Sequence, residues 1–139
     1  MLYSKLSIIS QLFNLYQRPE FEIILEKSST QYFQTLLYTN IYNGQIWKTF
    51  LNAAGSNFFT KETANTNLEF LLNLDWFQPF IHSKWSTGAI YASILNLPCE
   101  EHNKSENLLY LEFLPGPNEA SLHQINHYIS PIVDELLVL

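Results

Sequence analysis

The chain has 139 residues, 47% of them apolar and 15% aromatic, with a formal net charge of -6. A chain of this length makes one domain with its own core, and the apolar content excludes a disordered tail. The seven Lys and Arg residues are scattered singly, as Lys5, Arg18, Lys27, Lys48, Lys61, Lys84 and Lys104; because phosphate neutralisation supplies most non-specific nucleic-acid affinity, the chain alone is expected to bind DNA poorly.

Leu2, Leu6, Ile9, Phe13 and Tyr16 recur at helical spacing and predict a first helix with one apolar stripe, stopped near Arg18 and Pro19. Pro19 opens a second short helix, with Glu20 and Glu22 near its N-terminus and Lys27 near its end, fading at Ser28 to Thr30. Tyr32 to Tyr42 suits strand and helix equally. Asn43 is a candidate cap for a helix carrying Ile46, Trp47, Phe50 and Leu51 and closed by Gly55. Phe58 and Phe59 then lead through the polar linker Thr60 to Thr66.

The stretch from Asn67 to Phe80, NLEFLLNLDWFQPF, is the most informative. Leu68, Phe70, Leu71, Leu72 and Leu74 break strict alternation, and such a run suits a strand covered on both faces in the middle of a sheet. Asp75 is expected at its lip, with Trp76, Phe77, Pro79 and Phe80 forming an aromatic turn. An acid so placed serves either as one ligand of a divalent cation or as a plain strand terminator.

Gly88 to Leu97 reads as a second strand stopped by Pro98, and Leu108 to Leu114 as a third. The loop between them, with Glu100, Glu101 and Glu106, reads as solvated. Pro115-Gly116-Pro117 ends the third strand, and it is no phosphate loop, since prolines lack the N–H donors required. Ser121 and Gln124 form a capping box for a last helix, with Leu122, Ile125, Ile129, Ile132, Val133, Leu136 and Leu137 as its buried stripe. Pro131 is expected to kink that helix or to start a new segment capped by Ser130. The connections between the strands are too short for crossovers, so the sheet should be antiparallel.

Other chemistry finds little support. His123 and His127, four apart on a helix, match a chelating pair but lack a third ligand, and a solvated helix face explains them as well. His82 and His102 stand alone in loops. Ser86 and Ser121 have no neighbouring base, so a hydrolase triad is not expected. Trp47, Trp76 and Trp85 suit base stacking or plain packing. Cys99, the only cysteine, excludes an internal disulfide and a thiolate zinc site. No apolar run approaches a membrane span, and the opening MLYSKLSIISQLF lacks a signal-peptide cleavage site; an intracellular protein without a membrane partner is expected.

The order helices, three strands, helix, with an acid late in the first strand, matches the opening half of a ribonuclease-H-like fold. The segments IYNGQIWKTF, FFTKETA, LLNLDWFQPF, STGAIY followed by NLP, LPGPNE and INHYISPIVDELLVL, running from about Leu37 to Leu139, resemble the transposases of CACTA-type (En/Spm) DNA transposons, especially fungal ones. The resemblance implies an α+β or α/β fold: a partial ribonuclease-H-like core over 67–139, with three antiparallel strands and a C-terminal helix, behind a helical region over 1–66. In the parent family, converging acids hold Mg2+ or Mn2+ for DNA cleavage and strand transfer. Asp75 matches the first-strand acid, as a vestigial catalytic residue and metal ligand, and the family's localisation is nuclear. Asn40 and Asn43 stand where relatives often carry aspartate.

The family's later strand and acids have no counterpart in this sequence. Asp75 and Asp134 are its only aspartates; Glu112 is expected to face outward or to lie at an edge. A two-metal centre needs several converging carboxylates. The expectation is therefore a truncated fragment, inactive alone and needing no cofactor. DNA is then a partner only of the parent. The alternative is an interaction module: without the parallel neighbour, one side of the first strand exposes unpaired backbone groups, which suit a second copy or an intact transposase.

Overall fold

The computed structural model describes residues 6–32, 44–78, 80, 85–116 and 119–139, with side chains described for all of these except 29–32 and 122. Among these residues four α-helices, α1 (Ile8–Tyr16), α2 (Phe21–Tyr32), α3 (Gln45–Thr49) and α4 (Leu122–Leu136), accompany three strands, β1 (Phe70–Phe77), β2 (Thr87–Ile94) and β3 (Leu109–Pro115). The fold is mixed α and β, with one antiparallel sheet in the order β1-β2-β3.

Ser7 caps α1, its hydroxyl accepting from the Ser10 N–H at 3.3 Å. The buried face is Ile8, Leu12 and Leu15, whereas Leu6, Ile9 and Phe13 from the expected stripe are exposed. Both sets repeat at helical spacing, and the packing of β3 and α4 decides between them. At the turn into α2, the Arg18 guanidinium donates to the Glu106 carbonyl at 2.6 Å and to the Asn107 side chain at 2.7 Å, while lying 5.7 Å from the Phe21 ring centre. Asn107, itself buried, donates to Glu101. Glu101 also receives Lys104 at 2.6 Å, and this bond holds its carboxyl below the usual range. The expected solvated loop is thus pinned by a polar network. Helix α2 runs past the expected fade at Ser28 to Tyr32.

Asn43 and residues 33–42 lie outside the described residues. Helix α3 starts from Gly44 and stops at Thr49. Beyond it the chain turns back on itself through a bridge between Leu51 and Asn57. Gly55, with φ 78°, serves this turn instead of closing a helix, since positive φ is cheap only for glycine. Trp47 stacks on Phe59 with centroids 3.9 Å apart, and Phe50 meets Phe58 edge-on.

One face of the sheet builds the core. Ile90, Ala92 and Ile94 of β2, with Leu109, Leu111 and Leu114 of β3, pack with Ile8, Leu12, Leu15, Phe21 and Ile132. A bulge sets Ile90 opposite Glu112 and Tyr91 opposite Tyr110, leaving Leu111 as the extra residue. That shift brings Leu111 into the core together with Leu109. Helix α4 continues through Pro131 as one element. Its expected stripe is only partly buried: Ile132 is enclosed, but Val133 and Leu137 are exposed.

The end of α4 also locks the start of α1. Glu135 Oε1 accepts from the Ser7 hydroxyl at 2.7 Å and from the Ile9 N–H at 3.2 Å, placing a carboxylate at the positive end of a helix. Glu135→Ala is expected to cost about 1 kcal/mol, read as a lowered midpoint in urea unfolding with an unchanged slope.

Candidate functional site

The site is built on β1, whose surroundings differ from the expected ones. Strand β1 is at the sheet edge, β2 lies in the centre, and among the described residues no strand pairs with the other side of β1. The strand also extends further than expected: Asp75 lies within it, paired with Ala89, and Trp76 and Phe77 continue the ladder opposite Gly88 and Thr87. Pro79 lies outside the described residues.

The direction of each backbone group follows from the start of the ladder. The Leu95 N–H donates to the Glu69 carbonyl at 2.9 Å, and the Glu69 N–H donates to Asn96 Oδ1 at 2.7 Å. Both groups of Glu69 therefore face β2. Antiparallel alternation then turns Leu71, Asn73, Asp75 and Phe77 toward β2, and the N–H and C=O groups of Phe70, Leu72, Leu74 and Trp76 toward the outer edge. The adjacent side chains are apolar and accessible, with Leu71 48% and Leu72 40% exposed.

The opposite edge of the sheet is treated differently. The Leu6 N–H donates to the Leu111 carbonyl at 3.0 Å. The Gln11 amide brackets Tyr110, donating to its carbonyl at 2.8 Å and accepting from its N–H at 2.9 Å. One side chain thus takes the place of a neighbouring strand on β3, which blunts that edge against pairing. Nothing local in the sequence signals this role for Gln11; the contact joins residues 99 positions apart.

Asp75 lies on the more exposed face of the sheet and accepts from the Tyr91 hydroxyl at 2.5 Å. That bond, with the carboxylate charge beside it, pushes the Tyr91 hydroxyl above its ordinary range. Glu112 is not outward-facing: only 7% exposed, it pairs with Ile90, which pairs with Leu74, so it shares the core face. Asp75 and Glu112 therefore lie on opposite faces of the sheet. Asp134 is exposed on α4, which contributes Ile132 to the core side. Among the described residues no group of three or more Asp, Glu, His or Cys side chains is placed to hold a metal ion.

The remaining sequence candidates are dispersed. His123 and His127 are exposed on α4, and His102 Nε2 contacts the Leu97 carbonyl at 2.6 Å; His82 lies outside the described residues. Trp47 stacks on Phe59, Trp76 packs against the core and Trp85 is exposed, so the three rings share no platform. Beside β1, the α3 segment and its hairpin leave a pocket of about 420 Å³ whose lining includes Trp47, Phe50, Phe59, Leu68, Phe70 and Leu136. Glu69 is at its rim, and partial burial raises its carboxyl above the usual range. Among the described residues no helix is long and apolar enough to cross a membrane.

Comparison of the chain with protein-family models, with curated proteins and with solved structures finds no match.

Proposed function

We propose that this chain is an interaction module that self-associates by adding a strand to the outer edge of β1, on a partial ribonuclease-H-like core of CACTA-transposase origin. The observation that carries the reading is the asymmetry of the sheet. The β3 edge is occupied by Leu6 and Gln11, whereas the β1 edge presents outward backbone groups flanked by exposed Leu71 and Leu72. Such an edge is a template for strand addition. An intact transposase carrying the same strand is a second partner of the same kind, and DNA is a partner of the parent enzyme only.

No strand cleavage is assigned to the chain itself. Metal-assisted phosphodiester chemistry needs carboxylates converging on one point, whereas Asp75 and Glu112 lie on opposite faces of the sheet and Asp134 is exposed on α4. Light scattering over a dilution series should show mass rising with concentration, and the same samples should leave supercoiled DNA intact with Mg2+ or Mn2+. A monomer at every concentration would overturn the association; metal-dependent nicking lost in Asp75→Ala would overturn the inactivity.

A further inference from the structure

We infer that the partner strand is β1 of a second copy, paired antiparallel about a two-fold axis through Leu74. This rests on the reading of β1 as a pairing edge and adds the register. A two-fold contact must be self-complementary, and only registers that set the outward residues Phe70, Leu72, Leu74 and Trp76 against one another make the ladder. Centred on Leu72, such a pairing places Glu69 opposite Asp75 of the second copy. Centred on Asp75, it places the two Asp75 carboxylates face to face. Like charges directly opposite are destabilising. Centred on Asn73, it sets Leu71 against Asp75, matching an apolar side chain with a charge.

Centring on Leu74 removes these conflicts. Exposed Leu71 meets exposed Phe77, and the Asn73 amide reaches the Asp75 carboxylate. On the other face Leu72 meets Trp76.

The test is disulfide trapping in a Cys99→Ser background, because Cys99 is exposed. Across the outer edge Leu71 and Phe77 form a non-hydrogen-bonded pair, with Cα atoms about 4.5 Å apart, within the range a disulfide spans. Two copies of Leu71 lie six residues out of step, about 20 Å apart. Oxidising an equimolar mixture of Leu71→Cys and Phe77→Cys chains should give covalent dimers that contain one of each, and neither variant alone should cross-link. Self-linking of Leu71→Cys, or dimers by light scattering with no mixed cross-link, would overturn this register while leaving edge pairing in place. Absence of any dimer by light scattering would remove the edge reading as well.

Discussion

Leu72→Glu is expected to weaken self-association by roughly a hundredfold while leaving the monomer folded. Leu72 is part of β1, but its N–H and C=O point away from β2, so the intramolecular ladder does not depend on how that edge is used. Its side chain is already 40% exposed, and a carboxylate there stays hydrated in the monomer. In the pair, both copies must desolvate it. Losing the burial of one leucine costs about 1.5 kcal/mol, and two-fold symmetry doubles this to about 3 kcal/mol, which corresponds to roughly a hundredfold. Sedimentation over a dilution series measures the shift. An unchanged association constant would place the contact elsewhere on the surface.

Gly116→Ala is expected to be among the most damaging single substitutions to stability, costing about 3 kcal/mol or more. A Cβ added at Gly116 would sit 1.8 Å from the Ser86 carbonyl oxygen and 2.9 Å from its carbon. Both are backbone atoms, so no rotamer change relieves the clash. The segment before β2 and the exit from β3 are packed together at this point, and separating them pulls on the Thr87 to Pro115 end of the ladder. Urea unfolding followed by circular dichroism should show a midpoint far below that of the unsubstituted chain. An unaltered midpoint would mean that the two segments separate at little cost.

The sequence made the elements legible more readily than their surroundings. The three strands, their antiparallel order and the C-terminal helix follow from apolar runs, short connections and the Ser121 start. The Gln124 side chain does accept from the Ser121 N–H at 2.9 Å. The position of β1 in the sheet did not follow, because a strand suited to burial on both faces reads the same whether or not a neighbour is present. Its apolar run is central in character, and its outer edge is open among the described residues. Helix α1 differs from its expected stripe for a related reason. Ile8, Leu12 and Leu15 compete with Leu6, Ile9 and Phe13 for the core, and both stripes are apolar, so only tertiary contacts break the tie.

The site residues divide in the same way. Asp75 stood out as an acid after an apolar run, but Trp76 and Phe77 are good strand formers and carry the ladder beyond it. Asp75 is therefore a mid-strand residue held by Tyr91, not one at a lip. Glu112 was expected outward from the alternation of Leu111 and Phe113; the bulge at Ile90 and Tyr91 turned it inward, and a bulge has no marker in this stretch such as a glycine. Gln11 guarding β3 and Glu135 capping α1 are contacts across most of the chain, beyond the reach of local pattern.

Amide hydrogen exchange along β1, measured at low and high protein concentration, tests the pairing edge most directly. The N–H groups of Leu71, Asn73 and Asp75, bonded toward β2, should exchange slowly at both concentrations. Those of Leu72, Leu74 and Trp76 should exchange near the unprotected rate when dilute and become protected as concentration rises. Outward amides whose exchange does not change with concentration would contradict the account.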